Sequence, residues 1–279
     1  MKKIIVTTDF SEKSKKGILF AMQLASQTDC ELIFYNVVQI FMPSIWDNVY
    51  YGQFENEELK RSQMQLEQFV KAIYNKNKFA KQSFRCVCEV GVSAGNQIIE
   101  YAKNQKASYI CVSNIGGGSL DQLFGTTASE LIAYSATPVL IVPKNYRLKS
   151  IKTLFFASDF KNFNDELKHI ENFSTPLKAK TMIFHYDYKW FLNANKAKFE
   201  HISQKHQSET VSFNLRKLDS GAPLLDHVEN DVVKIKPSIV VVFTKQNRNW
   251  FSRLFFSSLA TELAIDTKTP LLIFKKHEL

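Results

Sequence analysis

The residues best able to do chemistry form one run, Ser113-Asn114-Ile115-Gly116-Gly117-Gly118-Ser119-Leu120-Asp121-Gln122-Leu123-Phe124-Gly125-Thr126-Thr127. Glycine lets the backbone take positive φ and approach an anion closely. A helix start beyond such a run presents unpaired N–H groups and the positive end of the helix dipole, the combination that holds a phosphate. Thr127-Ala128-Ser129-Glu130 reads as a capping box, which predicts a helix over 128–134. Two readings of the run stand here, a phosphate cradle and a surface loop that is merely rich in glycine. Other chemistries find little support. The sequence has no G-x-S-x-G elbow, no G-x-x-x-x-G-K-[ST] loop and no H-E-x-x-H pair. All six histidines lie in the second half, where His201 and His206 are five apart and diverge on a helix. Cys86 and Cys88 share one face of a strand but have no matching ligand pair. No catalytic residue and no metal ligand is therefore assigned.

The elements that must position this run alternate. Ile4-Ile5-Val6-Thr7-Thr8 is β-branched and reads as a strand buried on both faces, followed by the turn Asp9-Phe10-Ser11. Ser11 or Ser14 can cap the next helix, whose apolar face is Ile18, Ala21, Met22 and Ala25. Residues 31–38 make a second strand. Gln39 to Glu58, with Phe41, Pro43, Trp46, Tyr50, Tyr51, Gly52 and Phe54, is too irregular for one element. It reads as a lid or partner-binding surface, or as aromatic packing between copies. Leu66, Phe69, Val70 and Ile73 stripe a long helix. Strands over 84–90, 109–113 and 138–142 and a helix around Ile98, Ile99 and Ala102 complete a βαβ series, which predicts a parallel sheet covered on both faces.

The series then repeats. Lys152 to Phe160 matches the first strand and its turn in character, with Ser158-Asp159-Phe160 standing for Thr8-Asp9-Phe10. Residues 180–186 match the second strand, with His185 in the place of Asn36. Residues 239–243 match the fourth, and Phe255 to Pro270 matches Leu123 to Pro138, down to Glu262-Leu263 and Thr269-Pro270. The boundary falls in the patternless segment 144–148. This predicts two tandem α/β copies, domain 1 over 1–146 and domain 2 over 147–279.

Composition sets wider bounds. The 279 residues suit two domains, and 45% hydrophobic content supplies real cores. Net charge is +9, of which residues 1–146 carry +2 and the remainder +7. The lysines are scattered, which favours a solvated surface over nucleic-acid binding. No apolar run reaches the ~20 residues that span a bilayer. Four cysteines are few, and Met1-Lys2-Lys3-Ile4 leads directly into a strand rather than a signal peptide. A cytoplasmic protein with no membrane and no nucleic-acid partner is expected. The terminal Lys276-His277-Glu278-Leu279 is read as chance.

A strand ending in Asp9, the Tyr35-Asn36-Val37 strand, the Gly118…Gly125-Thr126 loop and the Thr137-Pro138-Val139-Leu140-Ile141-Val142 ending resemble the universal stress protein family. The resemblance covers nearly the whole chain as two copies. It implies, for each copy, a Rossmann-like five-stranded parallel sheet with helices on both faces. It also implies ATP or AMP, with Mg, bound at the C-terminal ends of the strands. Asp9 would bind the sugar or base edge, Val37 would line the base, and Gly118, Gly125 and Thr126 would contact phosphates. The family motif, Gly-x2-Gly-x9-Gly-Ser/Thr, is broken: its first two glycines fall on Val112 and Ile115. The proline usual two residues before the aspartate is Thr7. In the second copy Trp250 and Ser257 replace Gly118 and Gly125, and Trp250, Phe251 and Phe255 would crowd a triphosphate. Arg248 and Arg253 are weak candidates for another anion. Asp159 survives, and reads as a cap on the following helix.

The expectation is a non-catalytic stress-response protein with one adenine-nucleotide site, in the first copy. The other reading is a scaffold that recognises a protein or another small ligand. In the family the last strands pair between subunits, which implies a built-in pseudo-dimer and allows a further homodimer.

Overall fold

The computed structural model describes residues 1–40, 48–77, 79, 83–113, 120–188, 192–218, 221, 223–244 and 269–275. The chain divides into two units, Met1–Leu148 and Lys149–Leu279. In the first unit the elements are β1 (Lys2–Thr7), α1 (Lys15–Gln27), β2 (Cys30–Val38), α2 (Asn48–Asn77), β3 (Phe84–Val90), α3 (Ala94–Asn104), β4 (Tyr109–Ser113), α4 (Leu120–Tyr134) and β5 (Val139–Val142). Its strands are all parallel, in the order β3-β2-β1-β4-β5. The chain steps outward one way from β1 to β3 and the other way from β4 to β5. Right-handed crossovers then put α1 and α2 on one face and α3 and α4 on the other, and α3 does pack against α4 and α1 against α2.

Burial explains why the strands are so apolar. Ile4, Ile5 and Val6 of the central β1 are 2% exposed or less, because helices cover both faces. Helix α3 approaches α4 where Gly95 has no side chain: a Cβ there would lie 2.7 Å from the Cβ of Glu130. The connecting segment is tied to the first unit by Tyr146, which is 2% exposed and stands edge-on to Phe20 of α1 at 5.5 Å.

The second unit repeats the plan with β6 (Thr153–Ala157), α5 (Phe163–Leu177), β7 (Lys180–Tyr188), α6 (Leu192–His206), β8 (Val211–Leu218), α7 (Leu224–Ile235), β9 (Ile239–Thr244) and β10 (Leu271–Lys275). Its parallel order is β8-β7-β6-β9-β10. Edge hydrogen bonds recur at matching places. Ser108 N donates to Lys3 O and Ser238 N to Thr153 O; Ile110 N donates to Pro138 O and Val240 N to Pro270 O. The tandem α/β expectation holds.

Two element boundaries differ from the sequence reading. Residues 48–58 are not irregular; they are the first turns of the 30-residue α2. A long helix with a buried stripe at Leu66, Val70 and Ile73 propagates cooperatively through Tyr50, Tyr51 and Gly52, whose propensities are merely weak. Helix α4 starts at Leu120 rather than Ala128, so Thr127 lies inside it and caps nothing. Residues 120–124 are adequate helix formers, and packing outweighs the roughly 1 kcal/mol cost of an internal Gly125. Of the sequence expectations, Gly116 to Gly118, Phe41, Pro43, Trp46, Arg248, Trp250, Phe251, Arg253, Phe255, Ser257, Glu262, Leu263 and Lys276 to Leu279 lie outside the described residues.

Replacing Tyr146 by alanine removes a buried ring and leaves a cavity, which typically costs about 3–5 kcal/mol for a large aromatic. Urea unfolding of Tyr146→Ala should show the first unit destabilised on that scale. Exposed Arg147→Ala should stay within about 0.5 kcal/mol.

Candidate functional site

In an open sheet of this order the chain leaves β1 and β4 in opposite directions, so a crevice opens beyond their C-terminal ends. Three segments of the first unit meet there: the turn after β1, the end of β2 and the end of β4. A set of buried hydroxyls fastens them. Phe10 N donates to Thr8 Oγ1 at 3.1 Å, and Thr8 Oγ1 lies 2.8 Å from Ser14 Oγ. Ser14 Oγ donates to Ser11 O at 2.8 Å, so the Thr8 hydroxyl is the donor in the Thr8–Ser14 pair. Ser14 N in turn donates to Ser11 Oγ. Asn36 Nδ2 reaches across from β2 to Thr8 O at 2.8 Å. From β4, Ser113 Oγ donates to Ser14 O at 3.1 Å and accepts from Gly17 N at 2.8 Å. Thr8, Ser14, Asn36 and Ser113 are all buried.

Of the two expected caps, Ser14 occupies the N-cap position of α1 but makes no side-chain cap bond, while Ser11 Oγ accepts from Ser14 N at 3.1 Å in the turn that leads into the helix. Gly17 is required for a different reason: a Cβ there would sit 2.7 Å from Ser113 Oγ and 3.4 Å from Ser113 N.

Asp9 is exposed on the turn, and its Oδ1 accepts from Ser11 N at 3.0 Å. Partial burial pushes its carboxyl pKa up, but hydrogen bonds from Ser11 and Ser14 outweigh that and hold it below the ordinary 3.8. Next to it Phe10 takes φ 62° and packs edge-on to Phe69 of α2 at 5.8 Å. Val37 is half-buried and lies on the other side of the sheet from Asn36 (successive strand residues alternate). A Cβ on Gly91 would be 3.0 Å from Val37 Cγ1. Gly125 and Thr126 fall in the second turn of α4, and the described N–H groups without an intrahelical acceptor at that helix start belong to residues 120–122. The structure thus brings Asp9 and β4 together around the crevice, while Gly118 lies outside the described residues.

The second unit keeps the turn and changes its surroundings. Phe160 takes φ 58°, its N–H donates to Ser158 Oγ at 3.1 Å, and Lys161 N donates to Asp159 Oδ1 at 3.0 Å. Asp159 therefore closes a turn two residues long and does not cap α5, whose N-cap position is Asn162. His185 takes the role of Asn36, with Nδ1 2.8 Å from Ser158 O. A carbonyl only accepts, so Nδ1 carries the proton. Register places Tyr186 at the position of Val37 and Phe243 at that of Ser113. Phe160 stacks on His185 at 4.6 Å and has Phe163, Phe199 and Phe213 within 6.5 Å. Carbon fills what hydroxyls wire in the first unit.

Burial pushes the Cys86 thiol up to about 12 and the Cys88 thiol to about 11, away from the thiolate that a reactive cysteine uses. Among the described residues no group of three or more His, Cys, Asp or Glu could hold a metal ion, and no helix is long and apolar enough to cross a membrane.

Residues 1–143 match the model of the universal stress protein family. The chain belongs to the universal stress protein family. A universal stress protein from Archaeoglobus fulgidus superposes on it with a TM-score of 0.69 at 15% identity, over 99% of this chain and 98% of that one. A functionally unknown protein of Pseudomonas aeruginosa PAO1 gives 0.56 at 12% identity, over 99% and 92%. At such identities the likeness is one of fold, and it extends over both units of this universal stress protein. A universal stress protein in complex with cAMP covers 50% of this chain and 96% of its own, at 21% identity and a TM-score of 0.38. No curated protein matches the sequence.

The hydroxyl wiring was missed in the sequence. Its signal was Gly17, an unforced glycine one turn into an otherwise well-patterned helix. Two measurements check the site. Alanine for glycine within a helix is ordinarily stabilising by up to about 1 kcal/mol. Here Gly17→Ala should instead destabilise by roughly 1–3 kcal/mol, and most of that cost should vanish in a Ser113→Ala background, a coupling that a double-mutant cycle reads directly. By NMR, the Asp9 carboxyl should titrate below 3.8. Because the folded value is the lower one, its stabilising contribution is present above the unfolded aspartate value and fades as pH falls through the folded one. The stability gap between wild type and Asp9→Ala should therefore narrow in acid.

Proposed function

We propose that this universal stress protein binds an adenine nucleotide, ATP or AMP, without turning it over, in the crevice of the first unit. The observation that carries the reading is the contrast between the units. In the first unit the crevice has the Asp9 turn, Val37 and Ser113 around it and a glycine run next in sequence, whereas in the second Tyr186 stands at the Val37 position with its hydroxyl on Asp231, and Phe243 stands at the Ser113 position, stacked on Phe274. Asp9 would meet the ribose or base edge, and Val37 the base. The N–H groups at the start of α4 would meet the phosphates, with Gly118 ahead of them in sequence and Gly125 and the Thr126 hydroxyl one turn further in. Mg, where present, would arrive with the phosphates, since it keeps much of its water and needs few protein carboxylates. The non-catalytic part of the reading rests on Asp9, whose partners are a backbone N–H and serine hydroxyls rather than a base that could relay a proton.

Ligand that binds only the folded state raises its melting point by mass action, about 2.7 kcal/mol at a hundred times Kd. A titration with ATP or AMP should raise Tm by several degrees in wild type and far less in Asp9→Ala. No shift at millimolar nucleotide would sink the reading and leave the scaffold function in its place. Phosphate release above a blank would overturn its non-catalytic half.

A further inference from the structure

We infer that Ser113 is a positioning residue for the first unit's nucleotide site: its buried hydroxyl holds the Asp9 turn against the C-terminal end of β4. This rests on the reading of that crevice as a nucleotide site. Ser113 is 3% exposed and uses its one hydroxyl in both directions, accepting from Gly17 N and donating to Ser14 O. Ser14 passes the constraint on, because its own hydroxyl binds both Thr8 Oγ1 and Ser11 O, the two residues that flank Asp9 and Phe10. A single side chain at the end of β4 thus fixes the segment that carries the carboxylate.

The contact is built, not incidental. It exists only because position 17 lacks a Cβ, which would otherwise stand 2.7 Å from Ser113 Oγ. Alanine at 113 would leave the Gly17 N–H and the Ser14 carbonyl without this partner. The second unit supplies the contrasting case. Phe243 stands where Ser113 does; it stacks on Phe274 of β10 at 4.9 Å and meets the His169 ring of α5 at 6.3 Å, and a phenyl ring offers no hydrogen bond with which to register a turn. One nucleotide per chain follows.

The test uses the full chain. Equilibrium dialysis with labelled ATP should give one site per wild-type chain, and Ser113→Ala should weaken binding about tenfold. Ser135→Ala is the control, since Ser135 is also buried in the first unit and donates to Thr137 O at 2.8 Å, away from the crevice. It should lose comparable stability and change affinity less than twofold. Equal affinity loss in both, or unchanged affinity in Ser113→Ala, would overturn the inference, as would two sites per chain. NMR titration of Asp9 gives a readout independent of ligand. Its pKa should rise toward the ordinary value in Ser113→Ala and stay put in Ser135→Ala. Should Ser113→Ala not fold, Ser14→Ala interrupts the same chain of hydroxyls and should move Asp9 likewise. If wild type binds no nucleotide, the proposed function fails while the Asp9 titration still decides whether Ser113 sets the turn.

Discussion

Helix α1 lies so close to β4 that a Cβ at Gly17 would meet the Ser113 hydroxyl at 2.7 Å. That single approach sets much of what the first unit can do. It lets the Gly17 backbone N–H reach the Ser113 hydroxyl at 2.8 Å. The helix start is then anchored, and the turn between β1 and α1 inherits the anchor through Ser14. Polar groups held this way are worth little net stability individually, but leaving any of them unpaired in a buried place is expensive. The arrangement therefore tolerates few alternatives.

The two units separate what belongs to the fold from what belongs to the site. Both place a phenylalanine at positive φ after the first strand, a conformation that costs of order 1–2 kcal/mol, and both steady it with the same hydroxyl and carboxylate bonds. Both lean that ring on an aromatic of the unit's second helix, Phe69 of α2 or Phe199 of α6. Since the second unit keeps this geometry amid a packed aromatic cluster, the strained turn is part of how this fold leaves its first strand and is no evidence of binding. Asn36 and His185 carry the same lesson, as two side chains of different chemistry donate to the same carbonyl. Function has to be argued from what surrounds the turn.

Much of the fold was legible because the strands are buried on both faces and so appear as short apolar runs, and because the runs recur with matching punctuation. Asp9 could be found as the residue where the first run stops. Boundaries of α2 and α4 were hidden, since aromatic and glycine residues argue locally against helices that the length and packing of the whole element support. The contact between Gly17 and Ser113 was hidden more deeply: its partners are 96 residues apart, and either one alone looks ordinary. Val37 shows the remaining gap. Its place on β2 could be read, but only pairing with β3 shows that it faces the Gly91 side of the sheet while Asn36 serves the turn.

A unit whose only task was to fold would adopt the solution found in the second half. Stacked rings such as Phe160, His185 and Phe199 bury large apolar area and add a further increment from ring geometry. The hydroxyls of the first half bury less, demand exact partners and restrict Gly17 to glycine. Such a choice yields no stability advantage at a switch point, and it keeps polar groups beside Asp9. Sites that break the rules of good packing are where proteins place their chemistry. The first unit breaks them where three segments of the chain converge, and the second, built on the same backbone, does not.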